Sequence, residues 1–265
     1  STPEKLTPPE KRGIGLVFQD FALFPNMTAA ENVSFSLKTV RKQNKLALAT
    51  RWLDTLGIAH RADAYPHHLS GGEQQRIAIA RTIAANPTAI MMDEPFSGLD
   101  PENRDAVRSI AFNAIREANI PTLLVTHDPE EALAYADQIA ILDKGQLLQT
   151  GPPDDIYTKP KSKAVASAFG KLNALQTKDM PTSWKTVLPN TPSDIFHRPE
   201  AFEVAESSLS TPVTVVAINR IGAAHKISAM LANGTQLDFT SVLTRPLKSG
   251  DVIPVSPRPH LFYAF

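Results

Sequence analysis

The sequence predicts an α/β domain built on a mostly parallel sheet, followed by a small all-β domain. Three observations carry this. Over the first roughly 150 residues short apolar runs alternate with helix-period stretches, the pattern of strands covered by helices. The texture changes after Gly151-Pro152-Pro153, where proline-punctuated, β-like alternation takes over. Within that region Asn233-Gly234 separates two alternating runs, a strong hairpin signal.

A length of 265 residues suits two domains, and 42% hydrophobic with 20% charged residues is a core-forming composition rather than that of a disordered chain or a membrane span. Lysine plus arginine (27) equals aspartate plus glutamate (27), which argues against nucleic acid as a partner because phosphate binding calls for a basic excess. The absence of cysteine excludes disulfides, thiolate metal sites and cysteine nucleophiles, and fits the cytosol.

In chain order, Ile14–Phe18 reads as a short strand. Gln43–Leu56 reads as a helix with Leu46, Ala49, Leu53 and Leu56 on its inner face, stopped at Gly57 with Ile58 folding back. Ala89–Met92 is a continuous apolar run expected to be buried on both faces. Asp100-Pro101 opens a helix with Val107, Ile110, Ala111 and Ala114 inside, Asp100 capping it. Thr122–Thr126 and Ile139–Leu142 are two further buried strands, and Lys144-Gly145 turns the chain back into Gln146–Gln149. A short helical tail, Ser162–Phe169, leads to β-like runs at Val213–Ile218, Lys226–Leu231 and Thr235–Phe239. The expected domains are 1–155, with a helical subdomain at about 20–86, a linker helix over 156–175, and a β-domain over 176–265.

Chemistry concentrates in a few stretches. In Leu69-Ser70-Gly71-Gly72-Glu73-Gln74-Gln75-Arg76, Ser70 and Glu73 have capping-box spacing. Two glycines in the first turn weaken a helix, but they suit backbone N–H groups that must approach an anion at its positive end. Ile90-Met91-Met92-Asp93-Glu94-Pro95 ends an apolar strand in two acids. Asp93 there could orient Mg²⁺ and Glu94 could activate water; alternatively both acids merely favour the N-terminus of a helix begun at Pro95. His127 closes a neighbouring strand at the same sheet edge, and Asp128 caps the helix that Pro129 starts. His67-His68 read as surface residues.

The order Gln19, LSGGEQQR, MMDEP, SGLD and VTHD resembles the ATPase subunit of ATP-binding cassette (ABC) transporters, with a P-loop NTPase-like fold. The resemblance covers nearly all of residues 10–155. It implies that Gln19 is the Q-loop residue sensing Mg²⁺ and water, and that Ser70, Gly71, Gly72 and Gln74 belong to the signature loop facing ATP held by a second copy. It further implies Asp93 as the Mg²⁺ aspartate, Glu94 as catalytic base, Asp100 as the D-loop aspartate contacting ATP, and His127 as the switch histidine. ATP and Mg²⁺ are the expected cofactors. The phosphate-cradling G-x-x-x-x-G-K-[ST] does not occur, and Gly13-Ile14-Gly15 is no substitute. The expectation is therefore an N-terminally truncated ATPase domain that by itself binds ATP poorly and does not hydrolyse it, or else a regulatory module.

Phe18-Gln19-Asp20-Phe21-Ala22-Leu23-Phe24-Pro25 resembles the importer branch, which implies that Phe21, Phe24 and Pro25 contact a transmembrane permease; the alternative is that both phenylalanines are core. Ile195-Phe196-His197-Arg198-Pro199-Glu200-Ala201-Phe202 resembles the Arg-Pro-Glu signature of OB-like, TOBE-type accessory domains. The implied protein is a homodimeric, peripheral subunit on the cytoplasmic face of the cell membrane, working with permease subunits and indirectly with a substrate-binding protein. Ferric iron is the expected cargo; spermidine/putrescine, thiamine and sugars are the alternatives.

Overall fold

The computed structural model describes residues 7–8, 11–38, 40–188 and 194–265. The chain divides into two compact units, the first ending at His127 and the second running from Asp128 to Phe265. Among the described residues no helix is long and apolar enough to cross a membrane.

The first unit runs β1 (Ile14–Val17), α1 (Ala29–Phe35), α2 (Lys42–Thr55), α3 (Gly71–Ala84), β2 (Ala89–Asp93), α4 (Pro101–Glu117) and β3 (Thr122–Val125). Its strands form a parallel sheet in the order β1-β2-β3, with Leu16, Met91 and Leu123 side by side in one row. One face packs on α3: Val17, Ile90 and Met92 are buried, and Gly15 allows the close approach, since a Cβ there would lie 2.5 Å from Thr82 Cγ2. The expectation that β2 and β3 are buried on both faces is corrected. Met91 is 40% exposed, Leu123 56% and Val125 51%. A continuous apolar run reports that both faces are apolar, whereas burial needs a second layer, and among the described residues only one face of this sheet carries one.

Helices α1, α2 and α3 pack on one another around Val33, Leu53, Leu56, Ile58 and Ile77. α2 ends as expected. The Gly57 N–H donates to the Asp54 carbonyl and the Ile58 N–H to that of Leu53, with Gly57 at φ +65 and Ile58 fully buried. Leu46, expected on the inner face, is exposed; it is the fifth residue of α2, and the buried stripe starts only at Ala49. In α4, Val107, Ala111 and Ala114 are buried and Ile110 is half-buried.

The second unit contains α5 (Pro129–Tyr135), the hairpin β4 (Ile139–Asp143) and β5 (Gln146–Gly151), α6 (Pro153–Thr158) and α7 (Lys163–Ser167). Then come β6 (Asn173–Gln176), α8 (Thr182–Lys185), β7 (Asp194–His197), β8 (Phe202–Val204), β9 (Thr211–Ile221), β10 (Ala224–Met230), β11 (Gln236–Ser241), β12 (Val252–Pro257) and β13 (Phe262–Tyr263). A five-stranded antiparallel sheet, ordered β11-β10-β9-β12-β8, and a three-stranded one, β13-β7-β6, share a core around Trp184, Phe202 and Phe239. Asp128 caps α5 as expected, accepting from the Glu130 and Glu131 N–H groups. Lys144 and Gly145 both take positive φ, the turn a tight two-residue hairpin needs. The expectation of a buried strand at Ile139–Leu142 holds in part: Ile139 is buried and Ile141 packs beside it, but among the described residues β4 pairs with antiparallel β5 alone, and Leu142 faces solvent. The Asn233-Gly234 hairpin forms between β10 and β11 through a longer loop. In it only Gly234 is left-handed, and its N–H donates to the Leu231 carbonyl.

The Arg-Pro-Glu stretch organises this unit. Arg198 is buried, with its guanidinium carbon 3.9 Å from the centre of the Tyr157 ring. It donates to Tyr263 Oη (3.1 Å) and to the carbonyls of Phe169 (3.2 Å) and Tyr157 (3.4 Å). The Tyr157 hydroxyl donates to Glu200. One arginine thus ties the α6–α7 segment to β7 and β13.

Candidate functional site

Because β1, β2 and β3 are parallel and in register, with Val17 opposite Met92 and Asp93 opposite Val125, Gln19, Asp93-Glu94 and His127 leave the sheet at one edge. Glu94 adopts φ +42, in the left-handed region that costs an ordinary residue about 1–2 kcal/mol. Its N–H donates to the Val125 carbonyl at 2.9 Å, and its own carbonyl accepts from the Ser97 hydroxyl at 2.9 Å, so the turn is held from both sides. A carboxylate oxygen of Glu94 lies 2.9 Å from His127 Nδ1. With the hydrogen on Nδ1, Nε2 is left to accept a bond from solvent or ligand. No helix begins at Pro95, since residues 94–99 are turn and bend. The helix-terminus explanation for Asp93 and Glu94 is therefore corrected.

The Asp93 carboxylate is exposed and makes no ion pair or hydrogen bond among the described residues. Gln19 is likewise exposed at the end of β1. No cluster of three or more His, Cys, Asp or Glu suited to a metal occurs among the described residues. This donor set fits Mg²⁺, which takes one or two carboxylates and completes its octahedron with phosphate oxygens and water.

The second cluster is built on the start of α3. The Ser70 hydroxyl accepts from the Glu73 N–H, and a Glu73 oxygen accepts from the Ser70 N–H at 2.7 Å, the expected capping box. Burial alone would raise the Glu73 carboxyl, but the Ser70 N–H and the Arg61 guanidinium (2.9 Å) hold it below its ordinary value. Nothing among the described residues forces glycine at the next two positions. A Cβ on Gly71 would come no nearer than 3.8 Å to Leu99, and one on Gly72 no nearer than 3.4 Å to Val107. Both border a cleft of about 730 Å³ that also exposes Ser70, Asp100, Arg76 and Asn103. So the structure brings Ser70, Gly71, Gly72 and Asp100 together in one cleft, and Glu94 and His127 into direct contact.

Asp100 occupies the N-cap position of α4, but its side chain makes no capping bond; only its carbonyl accepts, from Asn103 and Arg104. The expected capping role of that carboxylate is corrected, and its oxygens are left to the cleft. The Gln74 amide donates to the carbonyls of Pro66 (3.0 Å) and Leu69 (3.1 Å), tying down the loop that delivers Ser70. His67 and His68 are exposed; His67 stacks on Tyr65, and His68 meets His67 at a tilt.

The loop after Gln19 contains two consecutive left-handed residues, Phe21 (φ 61) and Ala22 (φ 45). Arg81 of α3 donates to both their carbonyls, at 3.2 and 2.7 Å, and its guanidinium carbon stands 5.5 Å from the Phe24 ring centre. Asn32, fully buried in α1, fixes the far side. Its Oδ1 accepts from the Phe24 N–H at 2.8 Å, and its Nδ2 donates to the carbonyls of Phe24, Met27 and Thr28. Phe24 packs against Phe35 at 4.7 Å yet remains 38% exposed, and Pro25 is exposed; Phe21 is half-buried. Neither phenylalanine is simply core. Arg81 and Arg61 went unmarked in the sequence, and Arg76 and Asn32 counted only as members of the Leu69–Arg76 and Met27–Val33 stretches, with no role of their own; the Thr28–Glu31 capping box just ahead of Asn32 marks an ordered start to α1.

Residues 2–97 match the family model described as ABC transporter. The chain belongs to the family of ABC import ATP-binding proteins, and its first unit is part of an ABC ATPase fold. It is 34% identical to the Fe(3+) ions import ATP-binding protein FbpC of Serratia marcescens over 96% of this chain and 78% of that one. With the sulfate/thiosulfate import ATP-binding protein CysA 2 of Chromobacterium violaceum the identity is 33%, over 94% and 74%. With the glucose import ATP-binding protein GlcV of Saccharolobus solfataricus it is 42%, over 65% of this chain and 50% of that one.

Proposed function

We propose that the protein is the ATP-hydrolysing subunit of an importer, with Glu94 as the general base, His127 as the group that holds it, and ferric iron as the cargo. The observation that carries the chemistry is the Glu94 carboxylate, borne on a left-handed backbone, 2.9 Å from His127 and next to the uncommitted Asp93 side chain at the sheet edge. Glu94 accepts the proton of a water directed at the terminal phosphate, and His127, bonded through Nδ1, fixes the direction of that carboxylate. Asp93 and Gln19 would hold Mg²⁺, which supplies charge neutralisation to the phosphates. Ser70, Gly71, Gly72 and Asp100 present hydroxyl, N–H and carboxylate groups to a nucleotide on a second copy, which makes the working unit a homodimer. Phe24 and Pro25 meet the permease, at the cytoplasmic face of the membrane. The 265 residues contain no G-x-x-x-x-G-K-[ST], so turnover needs a chain that supplies one.

The likeness to the FbpC relative supports iron; the sulfate/thiosulfate relative, alike over nearly the same length, and the glucose relative make sulfate and sugars the competing cargoes. The test is the complex purified with its permease and reconstituted in vesicles, supplied with labelled ferric iron, sulfate or glucose. Iron uptake driven by ATP, with turnover reduced about a hundredfold or more by Glu94→Gln while ATP remains bound, is expected. Unchanged turnover in that variant overturns the role of Glu94; uptake of sulfate or glucose in place of iron overturns the cargo.

A further inference from the structure

Arg81 lies in α3, the helix whose first residues are Gly71 and Gly72, and it reaches back to the loop between Gln19 and α1. Ten residues of α-helix separate Gly71 from Arg81, a rigid rod of about 15 Å. At the far end of that rod the guanidinium holds two consecutive carbonyls, those of Phe21 and Ala22, and sets its face towards the ring of Phe24. The carbonyls belong to two non-glycine residues in the left-handed region, a conformation that persists only where surrounding bonds over-determine it. Asn32 grips Phe24, Met27 and Thr28 from α1, so Phe24 is carried on a turn with one support on each of two helices.

We propose that Arg81 is a positioning residue that couples movement of α3, and thus of Ser70–Gly72, to the turn presenting Phe24. The coupling rests on the importer reading above; the positioning does not. A shift of α3 on nucleotide contact at Gly71 moves the Arg81 guanidinium with it. The two carbonyls and the Phe24 ring must then follow or release, while Asn32 anchors the other end of the loop. Lysine cannot substitute fully, because one ammonium lacks the planar fork that meets two carbonyls at once.

The test uses Arg81→Met, Arg81→Lys and the double variant Arg81→Met/Ala22→Gly. In the 265-residue chain, Arg81→Met should speed amide hydrogen exchange of Ala22–Met27 at least tenfold while α2 stays unchanged. In the assembled complex, cargo carried per ATP hydrolysed should fall at least fivefold in Arg81→Met and less in Arg81→Lys, with basal ATP turnover within about twofold of the parent. Should Arg81→Met fold poorly, Ala22→Gly relieves the left-handed residue and restores the fold, and the double variant is measured in its place. Transport per ATP that stays low there supports the coupling; full recovery overturns it, since backbone strain alone would then be the whole role. Unchanged exchange in Ala22–Met27 overturns the positioning. If the unaltered complex moves no cargo, the importer reading fails, and the exchange measurement still decides the positioning.

Discussion

Nδ1 of His127 stands 2.9 Å from a carboxylate oxygen of Glu94, linking the ends of two neighbouring parallel strands. Two residues that act as one unit are non-additive. In the assembled complex Glu94→Gln should lower turnover about 10²–10⁴-fold, the usual span for loss of a general base. His127→Ala should lower it less, and the double variant should be no slower than Glu94→Gln alone. Losses that multiply would show that the contact is incidental to catalysis.

Gly71 separates stability from activity. A methyl group there meets nothing closer than 3.8 Å, and alanine is favoured over glycine in a helix by up to about 1 kcal/mol. Gly71→Ala should therefore melt at or slightly above the parent temperature while weakening the ATP-dependent association of two copies. A lower melting temperature would reveal a packing reason for the glycine.

Asn32 offers a sharper contrast. The two hydrogens on its buried Nδ2 are shared among three carbonyls, and its Oδ1 accepts from one N–H. Asn32→Ala takes this partner from the Phe24 N–H and the Met27 carbonyl, while the Phe24 and Thr28 carbonyls keep the backbone N–H groups of Met27 and Asn32, and should cost about 1–3 kcal/mol. Asn32→Asp sets a carboxylate against the same three carbonyls and should cost more in spite of its matching shape. Denaturant melts of the two variants decide the order.

The second unit should lose stability on both sides of neutrality. Burial pushes the His197 imidazole below its ordinary value, partly offset by its bond to the Arg198 carbonyl. The folded state thus resists a proton that the unfolded chain takes up, and stability should fall as pH drops below about 6.5. Burial, together with the bond to Glu200, pushes the Tyr157 hydroxyl up, and burial raises that of Tyr263. The unfolded chain then releases protons first, and stability should fall again as pH rises past about 10. Trp184 reports on this unit, and Trp52→Phe removes the signal of the first. Replacing His197 with Phe should remove the loss that begins below about pH 6.5 and leave the alkaline one, with Asp238, held below its ordinary value by its bond from Ser228, still costing stability at more acid pH.

Features governed by short-range rules were legible in advance: the capping box at Ser70 and Glu73, the left-handed stop at Gly57, and the hairpin at Lys144-Gly145. The Glu94–His127 pair was foreseeable as two strand ends meeting at one edge, although the left-handed backbone of Glu94 was not. Asn32 and Arg81 stayed hidden because their partners are main-chain groups, which every residue has and no side-chain pattern marks. Asp100 misled for a related reason: its position is that of a cap, yet the capping bonds go to its carbonyl. The exposed Met91, Leu123 and Val125 show the same limit for sheets, where alternation and runs encode chemistry of a face but not its cover.

Position 94 carries a residue that its own backbone disfavours. Glycine would settle at φ +42 without penalty, so a library of this gene screened for heat resistance alone should enrich glycine there. Such survivors would be robust and idle. Engineering for durability must therefore hold this glutamate fixed, because the tension it stores is inseparable from the place where the carboxylate is needed.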